Sequence, residues 1–136
     1  MWKLIGLMSV VLAVAGLAAA SSAPAKGGGA QVIKSGSCSS SATWKLKAKI
    51  DNGLIETEFE VDQNAVGKKW HVVIRQNGVK RFDGFRTTKA PSGSFTVRRL
   101  LDNKPGRDRI VGKARALATG QVCRGDSREI TGCRVD

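Results

Sequence analysis

His71 is the one imidazole in the 136-residue chain, so acid–base or metal chemistry of the usual kind would have to be built around it. General acid–base work needs a second titratable group within hydrogen-bond reach and a cleft that holds both. The run Lys69-Trp70-His71-Val72-Val73-Ile74 alternates with period two, so His71 points to the side of a strand opposite Trp70 and reads as a surface or second-face residue. Glu56, Glu58 and Glu60 form a second titratable cluster. They stand at every other position of one run and meet Lys45, Lys47 and Lys49 of another, which makes a self-neutralised strand face, not an acid and base in a cleft. Cys38, Cys123 and Cys133, even with His71 added, match no zinc-ligand spacing. No glycine-rich phosphate loop is present. The expectation is a non-enzymatic protein with no catalytic residue, metal or cofactor.

Two features point instead to binding. Arg124-Gly125-Asp126 is the tripeptide that animal integrins recognise, and Cys123 and Cys133 bracket it. If those two were bonded, the segment would be a constrained adhesion loop. In a chain rich in Arg and Gly, however, such a tripeptide also arises by chance. The second feature is charge: 23 Lys and Arg against 11 Asp and Glu give a net +12. From Thr43 to Asp62 the segment is net negative, whereas residues 68–115 hold nearly all of the positive excess. Arg75, Lys80, Arg81, Arg98, Arg99, Lys113 and Arg115 are the candidate anion-binding residues. A basic face attracts anionic cell-wall or extracellular polymers; the competing reading is that net charge only keeps the protein soluble. A protein-partner surface formed by strand edges, or by the loops at residues 87–95 and 102–107, is the alternative of a different class. Sequence-specific nucleic-acid recognition is not expected, because the aromatic residues are required for a core and no helix is available for a groove.

The elements that position these side chains begin only after a removable start. Met1-Trp2-Lys3, an apolar run from Leu4 to Leu17 and Ala18-Ala19-Ala20 form a secretory signal peptide over residues 1–20. The run falls short of the roughly 20 apolar residues that span a bilayer. The mature chain is therefore expected to be secreted, extracellular or envelope-associated, with no membrane span. Residues 21–37, mostly Ala, Gly and Ser, read as a flexible tether, residues 38–133 as one domain, and residues 134–136 as a tail.

Within the domain, Trp44 to Ile50 and Ile55 to Val61 alternate apolar and charged residues around Asn52-Gly53, the favoured centre of a two-residue hairpin turn. That turn sets Ile50 opposite Ile55, Leu46 opposite Phe59 and Trp44 opposite Val61, with the three Lys opposite the three Glu. A one-residue slip would bury every charge. A second hairpin is centred on Asn77-Gly78. Phe82 and Phe85 are of opposite parity there, and a bulge at Asp83-Gly84 would bring both rings to the core. Further turn signals at Pro91-Ser92-Gly93, Lys104-Pro105-Gly106 and Thr119-Gly120 divide the remainder, giving about seven strands and an antiparallel β-sandwich.

The Asp108-x-Ile110, Gly112-x-Ala114 and Thr119-Gly120 pattern, with Trp70 on a central strand, resembles immunoglobulin-like or fibronectin type III-like domains. More narrowly, Cys38, Trp44-Lys-Leu-Lys-Ala48, residues 55–62, Trp70, residues 87–95, Asp108-Arg-Ile110 and Cys123-Arg-Gly125 are similar to those of small secreted actinomycete-type proteins. That similarity carries no activity. First and last strands commonly neighbour one another in an immunoglobulin-like sandwich, so Cys38–Cys123 is the first choice of disulfide. Cys123–Cys133 is its rival, and one thiol is left over in either case.

Overall fold

A computed structural model describes residues 30–131, with side chains described as far as Arg128. The expected signal peptide, residues 21–29 of the expected tether, Cys133 and the tail lie outside the described residues. The rest is all-β: eight antiparallel strands in two four-stranded sheets. In chain order they are β1 (Gln31–Ser37), β2 (Thr43–Asp51), β3 (Leu54–Asp62), β4 (Lys69–Gln76), β5 (Val79–Thr87), β6 (Ser94–Asp102), β7 (Arg107–Ala116) and β8 (Val122–Thr131). One sheet has the order β1-β2-β3-β6 and the other β5-β4-β7-β8.

The first hairpin has the register that its sequence dictates. Trp44 is paired with Val61, Leu46 with Phe59, Ala48 with Thr57 and Ile50 with Ile55. Asn52 and Gly53 both take positive φ, as do Asn77 and Gly78 in the second hairpin, which is what a two-residue turn matched to strand twist requires. The inward-facing residues of both sheets meet in one core, in which Trp70, Phe59, Leu46, Ile55, Ile74 and Ile110 are fully buried. The Trp70 indole N–H donates to Gln63 Oε1 at 2.9 Å, so the largest core side chain leaves no polar group unpaired.

Two expectations are corrected. Residues 31–37 are not tether but an edge strand, paired with β2 from Gln31–Lys49 to Ser37–Thr43; this raises the strand count from seven to eight. The open edge of β2 offers a row of backbone partners that composition does not reveal. Second, the irregularity in the β4–β5 hairpin lies not at Asp83-Gly84 but nearer the turn: Arg75 pairs with Lys80 and Ile74 with Phe82, leaving Arg81 as the extra residue. Phe82 is therefore turned inward, and its ring lies over Gly84, 3.0 Å from where a Cβ would stand. Phe85 is turned outward and is 52% exposed.

The disulfide joins Cys38 and Cys123, tying the β1–β2 connection to the start of β8. Backbone and side-chain bonds repeat the tie, with Ser39 N–H donating to Val122 O at 2.8 Å and Ala42 N–H to Gln121 Oε1 at 2.8 Å. Closing a loop of 85 residues contributes about 4.5 kcal/mol on the chain-entropy view.

Candidate functional site

Strand alternation distributes the seven candidate cations over three environments. Arg98 leaves β6 on the outer face of the β1-β2-β3-β6 sheet, where it binds Glu58 at 2.6 and 3.0 Å and Glu56 at 2.6 Å. These carboxylates raise the Arg98 pKa further, the hydrogen bond to Glu58 first among the causes. The expected Lys–Glu ladder is thus a three-strand arrangement in which Arg98 is the principal cation, while Lys47 stands 3.9 Å from Glu58. Arg99 points the other way, with its guanidinium 4.4 Å from the Phe82 ring centroid; Arg86 lies at 4.9 Å. Two guanidiniums therefore cover the core ring at the side where β5 and β6 approach. Arg81 is the exposed bulge residue.

Arg75, Lys80, Lys113 and Arg115 do share a face, the outer one of the β5-β4-β7-β8 sheet. Cross-strand pairing sets Phe85, His71, Arg115 and Val122 in one row, Asp83, Val73, Lys113 and Arg124 in the next, and Lys80, Arg75, Val111 and Asp126 in a third. Neighbours across strands are about 4.8 Å apart and rows about 6.8 Å. Both carboxylates of these rows stand on the two flanking strands, and both are engaged. Asp83 Oδ1 is 2.6 Å from His71 Nε2, and its Oδ2 accepts from Lys80 Nζ at 2.9 Å. The bond to His71 first, then that to Lys80, hold the Asp83 carboxyl down at about 2. Asp126 accepts both Nε and Nη2 of Arg109, and its carboxyl is likewise lowered to about 2, chiefly by Arg109 and secondarily by the Arg128 backbone N–H. The central strands β4 and β7 carry Arg75, Lys113 and Arg115, and among the described residues none of these meets a carboxylate.

Between them, Val73 and Val111 floor a shallow depression of about 280 Å³, bordered by Arg75, Arg109, Lys113 and Arg124. An apolar floor with a cationic border suits an anion attached to an apolar body, because guanidinium and ammonium groups hold the charge while the valines lose water.

The Arg-Gly-Asp tripeptide is not in a loop. It lies inside β8, paired with β7 from Lys113–Arg124 to Val111–Asp126, and Cys123 is bonded to Cys38, not to Cys133. A Cβ on Gly125 would come within 2.8 Å of the Trp44 ring. Its glycine thus serves packing and its aspartate is bound to Arg109.

The His71–Asp83 pair is not evident from the sequence, where alternation gives only the strand side of His71. Its signal lies in the second hairpin: one extra residue near the Asn77-Gly78 turn puts Asp83 beside Val73, diagonal to His71. Both side chains are about 40% exposed, on an open strand face. The sulfurs of Cys38 and Cys123 are bonded to each other, and among the described residues no group of three or more His, Cys, Asp or Glu is placed to hold a metal. No described helix is long and apolar enough to cross a membrane.

No protein-family model matches the chain, and neither a curated protein nor a solved structure matches it.

Proposed function

We propose that the chain is a secreted, non-enzymatic binding module of immunoglobulin-like architecture that holds anionic envelope or extracellular polymers on the outer face of the β5-β4-β7-β8 sheet. The observation that carries this reading is the central stripe of Arg75, Lys113 and Arg115, set on two adjacent strands with the carboxylates of their rows bound at the flanks. Cations that meet no carboxylate among the described residues keep their attraction for an external anion, whereas the charge of Arg98 is taken up by Glu56 and Glu58. The immunoglobulin-like part is supported by the order β2-β3-β6 against β5-β4-β7-β8 and by the buried Trp70 on β4, with β1 as an added edge. The expected leader supports secretion, and the disulfide fits an oxidising compartment. The open setting of His71 and Asp83 favours binding over catalysis, since neither is enclosed with a reacting group.

The test is titration of the full-length protein with linear polyanions at low and at moderate salt. Binding is expected to weaken at least about tenfold on raising salt from roughly 20 to 200 mM, as for other charge-driven complexes that displace counterions. The triple variant Arg75→Gln, Lys113→Gln, Arg115→Gln is expected to lose most of the affinity, while Arg98→Gln retains it. Equal loss for both, or binding that ignores salt, would overturn the proposal.

A further inference from the structure

We infer that the polymer taken by this face is an acidic polysaccharide, a linear chain of uronic acids, with a sugar ring laid on Phe85 and a carboxylate on Arg115. The inference rests on the polyanion reading above and narrows it.

Phe85, His71 and Arg115 occupy one row across β5, β4 and β7. Phe85 is 52% exposed, although the other aromatic residue of its strand, Phe82, is buried. Its ring leans on His71 at a centroid distance of 5.1 Å and an angle of 34°, and the Lys69 ammonium stands 4.9 Å from its centroid. The Phe85 ring is thus touched by His71 and faced by Lys69, and a sugar ring laid on it takes the place of the flexible Lys69 ammonium, its polarised C–H bonds meeting the same electron-rich face. From Phe85 to Arg115 is two strand spacings, about 10 Å, comparable to the reach of a disaccharide. The next row leads into the valine-floored depression, where Lys113 and Arg75 can take the following carboxylate. Asp83, the carboxylate of that next row, is occupied by His71 and Lys80 and so offers the polymer little repulsion. A polyphosphate engages the same cations but has no ring to place on Phe85. The geometry therefore separates the two polymers by one residue.

The experiment compares polygalacturonate with linear polyphosphate, titrated at fixed ionic strength into the full-length protein and its Phe85→Ala, Phe85→Leu and Arg115→Gln variants. Loss of the ring is expected to weaken polygalacturonate binding about fivefold, the scale of one aromatic contact, and to leave polyphosphate binding within about twofold. Phe85→Leu, which keeps apolar bulk without the ring, is expected to behave as Phe85→Ala does; Arg115→Gln is expected to weaken both polymers. Near-ultraviolet circular dichroism verifies that each variant is folded. If the wild-type protein binds both polymers and neither Phe85 variant separates them, the polysaccharide assignment fails while the polyanion reading stands. If the wild-type protein binds neither polymer, both fail.

Discussion

Replacing Gly125 by alanine tests whether the tripeptide exists for packing. The added Cβ would stand 2.8 Å from Trp44 Cε3 and Cζ3 and 3.2 Å from Leu46 Cβ, where carbon contacts relax only near 3.5–4.0 Å. The indole must therefore withdraw by about 1 Å; Gly36 stands close on the neighbouring strand, where a Cβ would meet Trp44 Cζ2 at 2.9 Å, so the ring can move only toward the open depression that it borders with Ser35 and Thr43. Leu46, the other neighbour, is fully buried. Overpacking of this kind costs about 1–3 kcal/mol, and a central value of about 2 corresponds to a melting temperature lower by roughly 8–16 °C for a domain of this size. Urea and thermal unfolding followed by circular dichroism give the number. Trp44→Leu, made alone and with Gly125→Ala, completes a cycle in which the coupling is expected to exceed about 1 kcal/mol, because the two groups are in direct contact. A Gly125→Ala protein as stable as wild type within about 0.5 kcal/mol, the usual range of harmless surface changes, would refute the reasoning. So would a cycle without coupling.

Removing the disulfide with the double variant Cys38→Ser, Cys123→Ser is expected to lower unfolding free energy by about 2–5 kcal/mol, read from the shift of the urea midpoint. Acid should act through Asp83 and Asp126, both held down at about 2. Lowered carboxyl values contribute stability that is complete above the unfolded value near 4 and is lost as pH falls through about 2. Carboxyl NMR titration should find both groups ionised at about pH 3, and Arg109→Gln should move Asp126 up toward the ordinary carboxylate range while leaving Asp83 in place.

The first hairpin is legible because two independent signals agree. Asn52-Gly53 fixes the turn, and alternation makes any other register bury Lys or Glu. The Cys38–Cys123 pairing is also legible once first and last strands are taken as neighbours. β1 is not, since Ser35-Gly36-Ser37 has the composition of a linker and acquires strand geometry only from the edge of β2. The position of the bulge is hidden because Phe82 and Phe85 look equally apolar; nothing local says which ring goes inside, and room over Gly84 decides it. The basic face is half legible. Charge summed along a chain ignores that successive residues of a strand face opposite ways and that successive strands change sheets. Arg98, Arg99 and Arg81 thus drop out, while Arg75, Lys80, Lys113 and Arg115 remain together.

The sulfur bridge also has a mechanical meaning. Gln31 pairs with Lys49 and Thr131 with Arg107, so both ends of the described segment emerge at the same pole of the sandwich, beside the Asn52-Gly53 turn. Cys38 and Cys123 lie at the other pole. Tension applied through both ends would peel β1 and β8 toward that pole and then pass through one covalent bond. The hairpins, the core and the cationic stripe on β4 and β7 lie outside the load path, and a protein pulled between two anchor points would keep its central strands folded.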